Sequence, residues 1–168
     1  MPTLYIMCGV GFAGKSTLAK NIAEHFNTPL VSQDSLFFEK EKELNLNEDD
    51  DETWQMLLTM CQEKIKELLT TGKSVVFDNV NLKREHRDEL RQIAKEANGK
   101  AIIIYLDTPE ELLNKRQDRN KVTRERHDVK QEYLEDAKMQ LEIPSEDEEV
   151  YVFTPETNLD VFLNKLPK

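Results

Sequence analysis

The sequence predicts an α/β fold with a mostly parallel sheet, and three observations support that expectation. Short apolar runs that are typical of buried strands alternate with segments of helical periodicity from end to end. The length of 168 residues suits one domain with a full core, so we treat residues 1–168 as a single domain. The first apolar run leads through a glycine-containing turn into a helix, an order that is common in α/β domains.

Each predicted element has a local signal in the sequence. Strands are indicated by short runs of apolar residues, and helices by apolar residues three or four positions apart. The predicted strands lie at residues 4–8, 29–32, 74–77, 101–106 and 150–153. The predicted helices contain residues 16–23, 54–69, 86–97, 109–111, 134–141 and 159–166. The run 101–106 is the most hydrophobic of the strands, and we expect it at the centre of the sheet.

Helix ends carry their own signals. The pair Asn98-Gly99 follows an apolar-periodic segment and is predicted to end a helix. Thr108 and Glu111 have the spacing of a capping box, with Pro109 at the first helical position. We therefore expect the Thr108 side chain to cap the helix that begins at Pro109.

The composition limits the classes of protein and of function. The sequence has no apolar stretch of about 18 residues and no charged-then-apolar leader. We therefore expect no transmembrane helix or secretory signal, and we predict a cytoplasmic protein. Cys8 and Cys61 lie in apolar runs and are interpreted as buried hydrophobes without a disulfide partner. A net charge of −10 argues against non-specific nucleic-acid binding but does not exclude a small basic cleft.

The strongest functional signal is the segment 9–16, which reads G-x-x-x-x-G-K-S. Glycines let a loop wrap closely around phosphate so that its N–H groups point at the oxygens, and the following helix N-terminus adds positive potential. In such a loop Lys15 would contact the β- and γ-phosphates, and the Ser16 hydroxyl would bind Mg²⁺. A glycine turn that happens to precede a lysine is the weaker alternative, because strand, spacing and helix all agree.

The segment therefore predicts binding of a nucleoside triphosphate, with ATP and Mg²⁺ as the cofactors. Lys15 is also predicted to act in catalysis. Contacts with the nucleotide are predicted for Gly9, Gly11, Phe12, Ala13, Gly14, Lys15, Ser16, Thr17 and Arg119.

Two aspartates follow predicted strands that we expect to flank the first one. Ligands bind beyond the carboxyl ends of the strands in open parallel sheets, and Asp34 and Asp78 both follow such ends. Phosphoryl transfer to an alcohol needs a carboxylate that accepts the hydroxyl proton, and Asp34 is our candidate. Asp78 follows an apolar strand, as a Walker-B-type aspartate does, and would hold Mg²⁺ together with Ser16. The two roles remain interchangeable at this stage, and either side chain could instead cap the turn that follows it.

A basic cluster follows the fourth predicted strand. Arg116 and Arg119 are three positions apart at a helix end, so they share a face and could close over the nucleotide as catalytic groups. Residues 116–128 are predicted to form a lid, and Arg124 and Arg126 lie in its polar part, which lacks apolar periodicity. The alternative is a solvated helix end that complements the helix dipole, and we favour it for the lysines of this cluster.

Several other residues carry less specific signals. The acidic runs 48–52 and 146–149 are interpreted as solvated surface, and the first also complements a helix dipole. Arg84 and Arg87 could contact phosphate, acceptor or only the acidic surface, and the sequence does not separate these roles. Trp54 belongs to an apolar stripe and is predicted to lie in the core.

With these residues in place, the chain resembles the P-loop kinases of the polynucleotide kinase and zeta toxin type, a group that includes small bacterial or phage ATP-binding proteins. The resemblance runs from the segment 9–16 through 31–34 and the D-x-x-N-L block at 78–82 to the arginines at 116–119. It implies a three-layer P-loop NTPase fold with a five-stranded parallel sheet in the order 2-3-1-4-5 and a small arginine-containing lid. The loop 154–157 would then pass near the adenine.

The resemblance also implies roles for individual residues. Asp34 would match the general base, and Lys15 and Ser16 would match the ligands for phosphate and Mg²⁺. Arg116 or Arg119 would match the lid arginines of these kinases.

One position departs from the family pattern. Polynucleotide kinases resemble one another in placing an arginine three residues after the base aspartate, where it contacts the phosphate of the acceptor. Here that position is Phe37, which could stack on a base or sugar but cannot pair with phosphate. The departure and the acidic composition weaken a nucleic-acid acceptor. The acceptor therefore stays open among polynucleotide 5′-OH ends, nucleosides and small molecules.

The leading hypothesis is an ATP-dependent kinase that transfers the γ-phosphate to a hydroxyl group. An NTP-driven switch or motor would need extra lobes or partner surfaces and a glutamate beside the strand-end aspartate, and Asn79 occupies that place. A third class is a nucleotide-binding module, which would bind ATP but release no ADP in response to an acceptor.

Overall fold

The computed structural model describes residues 1–168 and is built on five strands. They are β1 (Thr3–Cys8), β2 (Leu30–Ser32), β3 (Val75–Asp78), β4 (Lys100–Leu106) and β5 (Val150–Phe153). The strands form one sheet in the order β2-β3-β1-β4-β5, and every neighbouring pair is parallel. The predicted number, direction and order of the strands are confirmed.

Seven helices connect the strands and cover both faces of the sheet. They are α1 (Lys15–Phe26), α2 (Gln33–Leu44), α3 (Asp51–Thr70), α4 (Arg84–Glu96), α5 (Glu110–Thr123), α6 (Gln131–Gln140) and α7 (Leu159–Lys165). Tyr5 and Met7 of β1 pack in one apolar core with α1, α5, α6 and α7, whereas Leu4 and Ile6 pack in a second core with α3 and α4. The result is the predicted three-layer P-loop NTPase fold. No helix combines the length and the apolar character that a membrane span requires.

The centre of the sheet is β1, which corrects the expectation that the more hydrophobic run of β4 would lie there. β1 pairs with β3 on one side and with β4 on the other, and all six of its residues are buried. Strands next to the centre of a parallel sheet are also covered by helices on both faces, so their composition is equally apolar. Hydrophobicity therefore identifies the inner strands of the sheet but not their order.

Helix α2 was not predicted from the sequence. It starts directly after β2, and the Ser32 side chain caps its N-terminus by accepting a hydrogen bond from the Ser35 N–H at 3.3 Å. Only Gln33 and Phe37 are buried along its twelve residues, so the helix shows no apolar stripe. It carries Asp34 in its first turn, which matters for the site described below.

The predicted capping box at the start of α5 does not form. The first intrahelical bonds run to the Pro109 carbonyl from the N–H groups of Leu112 and Leu113, at 3.0 and 3.1 Å. Pro109 is thus the N-cap, and no side chain caps the helix. The Thr108 hydroxyl instead donates to the Ala13 carbonyl at 3.2 Å, which ties the start of α5 to the loop after β1.

A buried ion pair joins α4 to the segment before β5. Arg87 is fully buried, and its guanidinium donates to the two carboxylate oxygens of Glu148 at 2.7 and 3.1 Å. The same guanidinium donates to the carbonyls of Asn81 and Leu82 at 3.1 and 2.8 Å. Burial acts to raise the pKa of Glu148, but the hydrogen bonds from Arg87 and from the Ser145 N–H, together with the charges of Arg87 and Arg84, outweigh it and lower that pKa. Arg87 therefore fixes the loop that follows β3.

This ion pair corrects one interpretation made from the sequence and decides between the roles that were left open for Arg84 and Arg87. The run 146–149 is more than solvated surface, because Glu148 is buried with Arg87. Arg84 also binds this run, through Asp147 at the surface, so neither arginine lies at the glycine-rich loop. Arg87 and Glu148 lie 61 positions apart, so their pairing could not be predicted from a local sequence pattern.

Candidate active site

Residues 9–14 form a tight loop between β1 and α1. Gly9 and Gly14 have φ angles of +153° and +101°, which residues other than glycine rarely adopt. Phe12 also has a positive φ, of +65°, at the tip of the loop. The N-terminus of α1 follows at once, and its first N–H groups have no partner within the helix. The loop therefore has the backbone shape and the positive potential that bind phosphate.

Lys15 lies at the centre of the site. Its side chain is largely buried, with 9% of the residue exposed, and its ammonium donates to the Val10 carbonyl at 2.7 Å. Burial lowers the pKa of Lys15 to about 8, while the nearby carboxylates of Asp78 and Asp34 act in the opposite direction. A bound polyphosphate would bring further negative charge to this lysine and would favour its charged form.

Asp78 and Ser16 place oxygen atoms beside this lysine. Asp78 ends β3 opposite Ser32 of β2, and 8% of it is exposed. Burial raises the pKa of Asp78, while a hydrogen bond from the Ser16 hydroxyl and the charge of Lys15 act to lower it. A hydroxyl and a carboxylate fit Mg²⁺, which takes a few protein oxygens together with water and substrate phosphates.

Asp34 lies in the first turn of α2, two residues after β2 ends. Its side chain is exposed, yet its charge influences the pKa values of both Lys15 and Asp78. The sequence predicted Asp34 at a strand end, and the structure places it at the start of the helix that follows at once. Because this helix begins at the carboxyl edge of the sheet, an exposed carboxylate here can meet a hydroxyl group that enters from solvent.

Two arginines of α5 lie beside the loop. The Arg116 guanidinium donates to the carbonyls of Phe12 and Ala13, both at 2.9 Å. Arg119 is three residues further along α5 and is exposed, with Glu125 at 3.4 Å. Both arginines line a cavity of about 590 Å³ that opens next to the loop, a size typical of small-molecule sites.

The cavity connects the loop after β1 to the segment after β5. Thr17 and Asn21 of α1 form one wall, and Phe153 and Leu159 on either side of the loop 154–158 form another. The remaining lining residues are Phe12, Ala13, Gly14, Leu18, Leu106, Asn120, Thr123, Glu125 and Arg126. Of the residues predicted to contact the nucleotide, the cavity is lined by Phe12, Ala13, Gly14, Thr17 and Arg119.

The end of α5 turns back toward the loop through Arg126. The carbon at the centre of its guanidinium lies 4.3 Å from the centroid of the Phe12 ring, a cation–π contact. Asn120 holds this position, because its buried side chain donates to the Arg126 carbonyl at 3.1 Å and accepts from the Arg126 N–H at 3.0 Å. Asn120 was not predicted as a site residue, since a single amide within a polar segment has no distinctive pattern.

Helix α6 packs directly against the loop. A Cβ atom added at Gly11 would lie 2.5 Å from a methyl group of Leu134, so the leucine would have to move to admit any side chain. Leu134 belongs to the apolar core next to β1. The segment 124–130 is therefore held by Asn120 at Arg126 and continues into α6, which packs against the loop through Leu134.

A model of the family described as AAA domain matches residues 4–144, a span that includes the loop, both aspartates and the α5 arginines. The chain belongs to the AAA domain family. No curated protein matches the sequence at a significant level.

Solved structures share the fold of this AAA domain. A gluconokinase from Sinorhizobium meliloti is 23% identical with a TM-score of 0.66, over 97% of this chain and 88% of that one. Chaetomium thermophilum Kti12 in complex with ADP-AlF3 is 14% identical with a TM-score of 0.77, over 96% of each chain. The APS kinase CysC from Mycobacterium tuberculosis, in complex with AMPPNP and APS, is 14% identical with a TM-score of 0.66, over 98% of this chain and 94% of that one. At these identities the likeness shows the fold alone, and the polynucleotide kinase and zeta toxin type stays a prediction.

The aromatic residues near Asp34 correct two expectations for this AAA domain. Phe37 cannot stack on an acceptor, because only 3% of it is exposed and its ring stacks on Trp54 with centroids 5.1 Å apart. Trp54 is half-buried rather than part of the core, and its indole N–H donates to the Glu48 carbonyl at 2.8 Å. The aromatic ring that is exposed in this region belongs to Phe38.

In this AAA domain, Arg116→Ala is expected to weaken ADP binding by roughly fivefold, or about 1 kcal/mol. The variant loses both hydrogen bonds that hold the carbonyls at the tip of the loop, and isothermal titration calorimetry measures the change in Kd. Lys115→Ala is the matched control, because Lys115 is exposed on the same helix and pairs only with Glu111. An unchanged Kd for Arg116→Ala, or an equal loss in both variants, would contradict the expectation.

Proposed function

We propose that the protein is an ATP-dependent phosphotransferase that moves the γ-phosphate of ATP to a hydroxyl group. The observation that carries the proposal is the pair of carboxylates at Lys15, one buried and one exposed. Asp78 is buried, and the nearby Ser16 hydroxyl acts on its pKa, an arrangement that suits metal binding. Asp34 is exposed to solvent, which suits a base that accepts the proton of an incoming alcohol.

The different surroundings of the two aspartates support different roles. The Asp78 carboxylate lies between a hydroxyl and an ammonium group and has little contact with solvent. A group in that position can hold Mg²⁺, which when bound would neutralise charge between the β- and γ-phosphates. Asp34 is the carboxylate that an acceptor can reach without displacing protein atoms. Pairs of carboxylates in contrasting environments commonly divide their tasks in this way.

In the proposed reaction the phosphates lie on the loop 9–14 and the N-terminus of α1, and Lys15 contacts the β- and γ-phosphates. Asp34 orients the acceptor hydroxyl and takes its proton as the oxygen attacks the γ-phosphorus. The bond from the γ-phosphorus to the bridging oxygen breaks, and ADP leaves. Arg116 and Arg119 stabilise the charge that spreads over the transferred group.

The nucleotide base would occupy the cavity between Thr17 and the loop 154–158, which lies next to the proposed phosphate site. The complexes of Kti12 with ADP-AlF3 and of CysC with AMPPNP support a nucleotide as the ligand of this fold. Residues 116–128 would act as the lid, with Arg126 already in contact with Phe12. Closure of such a lid excludes water from the transferred phosphate.

The proposal is tested by measuring ADP release with Mg²⁺ and ATP, in the presence and absence of candidate acceptors. The panel contains 5′-OH DNA and RNA, nucleosides, sugars and amino sugars, and labelled γ-phosphate identifies the product. We expect ADP release that depends on an acceptor and that is lost in Lys15→Met. Equal ADP release with and without acceptors would indicate a hydrolase, and ATP binding without ADP release would indicate a binding module. Either result would overturn the proposal.

A further inference from the structure

A second cavity, of about 400 Å³, lies between α2, the connection from α2 to α3 and the segment that follows α5. Its walls include Phe38, Glu41 and Asn45 from α2 and the residue after it, together with Glu48 and His127. The volume suits a small molecule rather than a macromolecule. Neither the phosphate loop nor the α5 arginines form part of it.

This cavity begins one helical turn from Asp34. Phe38, Glu41 and Asn45 follow Asp34 by four, seven and eleven positions, so all four side chains share one side of α2. At 1.5 Å per residue, Phe38 lies about 6 Å and Glu41 about 10 Å from Asp34 along the helix axis. A small molecule in the cavity can therefore present a hydroxyl group to Asp34.

The segment proposed as the lid forms the opposite wall. The His127 ring lies 5.3 Å from the Phe38 ring, and its Nε2 lies 2.9 Å from the Glu48 carboxylate. The preceding residue, Arg126, covers Phe12 of the phosphate loop. Arg126 thus contacts the proposed ATP site, and the adjacent His127 lines the second cavity. The second cavity therefore lies next to the ATP site, where an acceptor would have to bind.

The lining of this cavity is acidic. It contains two carboxylates and no lysine or arginine. Glu48 pairs with His127. Glu41 has no ion-pair partner, and the neighbouring Lys40 pairs with Glu39 and Glu43 instead. The carboxylates would repel a phosphate or carboxylate group on the acceptor and attract an ammonium group. Half of Phe38 is exposed, so its ring can also lie against a cation or a sugar ring.

We propose that this cavity binds the phosphate acceptor and that the acceptor is a small hydroxyl compound with a protonated amine, such as an amino sugar or amino alcohol. This inference rests on the proposed phosphotransferase function. The acceptor O–H bond breaks and its proton passes to Asp34, while the oxygen forms a bond to the γ-phosphorus and ADP leaves. The ammonium group stays unchanged at Glu41 and only positions the molecule.

Matched acceptors test the charge preference. Glucosamine and ethanolamine are compared with the neutral glucose and ethylene glycol, with the anionic gluconate and glycolate, and with a 5′-OH oligonucleotide. We expect kcat/KM for the better amine to exceed that for its neutral and anionic counterparts by roughly tenfold or more. Glu41→Gln should raise KM for that amine by about threefold to tenfold and leave kcat and the KM of the neutral counterpart unchanged. Glu39→Gln, an exposed carboxylate on the other side of α2, is the control and should change neither value.

Binding is measured independently of transfer through Trp54. It is the only tryptophan of the chain, and its ring stacks on Phe37 in the wall of the cavity, so its fluorescence should change when a ligand binds. We expect a saturable change with the better amine that is weakened in Glu41→Gln and retained in Glu39→Gln.

The outcomes separate the two proposals. Amine binding that depends on Glu41, without transfer to any acceptor, would overturn the phosphotransferase function but retain the cavity as a cation site. Transfer with a preference for neutral or anionic acceptors, or equal KM values in wild type and Glu41→Gln, would overturn the amine inference and retain the phosphotransferase. Absence of both binding and transfer with the amines would also overturn the amine inference.

Discussion

Asp34→Asn is expected to lower acceptor-dependent phosphate transfer by roughly 10²–10⁴-fold while the Kd for ATP stays within about twofold. The amide has the shape of the carboxylate but cannot take the proton of the acceptor. Asp34 is exposed in the first turn of α2 and makes no side-chain hydrogen bond within the protein, so the variant should fold normally. Single-turnover transfer of labelled phosphate and calorimetric ATP binding measure the two effects.

Two further variants show whether the effect belongs to Asp34. Glu43→Gln removes another exposed carboxylate of α2, one that pairs with Lys40, and should leave transfer unchanged. Asp78→Asn should raise the Mg²⁺ concentration needed for half-maximal activity, whereas Asp34→Asn should not. If the Mg²⁺ requirement changes only in Asp34→Asn, the roles of the two aspartates are exchanged. If transfer persists at the wild-type rate in Asp34→Asn, this residue is not the base.

Glu148→Gln is expected to lower the free energy of unfolding by about 3–5 kcal/mol, because it leaves the buried Arg87 guanidinium without a compensating charge. Urea denaturation measures the loss. Asp147→Asn is the control, since Asp147 pairs with Arg84 at the surface, and it should cost about 1 kcal/mol or less. The double variant Arg87→Met/Glu148→Leu should recover only part of the stability, because it removes both charges together but leaves the carbonyls of Asn81 and Leu82 without the Arg87 donor.

The destabilisation in Glu148→Gln should also depend on pH. The folded pKa of Glu148 is lowered from its ordinary value of 4.5. The stability gained from the ionised carboxylate is therefore fully present above pH 4.5 and is lost as the pH falls through the folded pKa. The difference between wild type and variant should narrow below that pH. A difference that stays constant down to pH 3 would show that packing, rather than charge, carries the effect.

The fold could be predicted from local patterns because most of its elements have one dominant signal. β1, β3 and β4 are apolar runs, and α3 has a clear stripe of buried residues. The strand order followed from the family resemblance rather than from the runs themselves. Helix α2 escaped prediction because it buries only two residues and faces solvent along most of its length. Its presence moves Asp34 from a strand end to a helix N-terminus.

The candidate site could be predicted in part, because the carboxyl ends of parallel strands lie at the same edge of the sheet. Lys15, Asp34 and Asp78 are separated in the sequence, but each lies at or after the carboxyl end of a strand, and neighbouring strands bring them together. The residues that hold the site in shape were not predictable in this way. Asn120 acts through two hydrogen bonds to Arg126 that no spacing pattern indicates. Leu134 lies in a predicted helix, but its close approach to Gly11 could not be predicted from that periodicity.

The burial of β1 and α3 has a consequence for chemical labelling. Cys8 in β1 and Cys61 in α3 are free, and burial raises the pKa of each thiol to about 11. Alkylating reagents attack the thiolate, so both cysteines should be inert while the protein stays folded. Modification of Cys61 then records the detachment of α3, which carries Trp54, whereas modification of Cys8 requires the central strand to come apart. The reactivity of Cys61 thus reports local opening around α3, and the reactivity of Cys8 reports unfolding of the whole sheet.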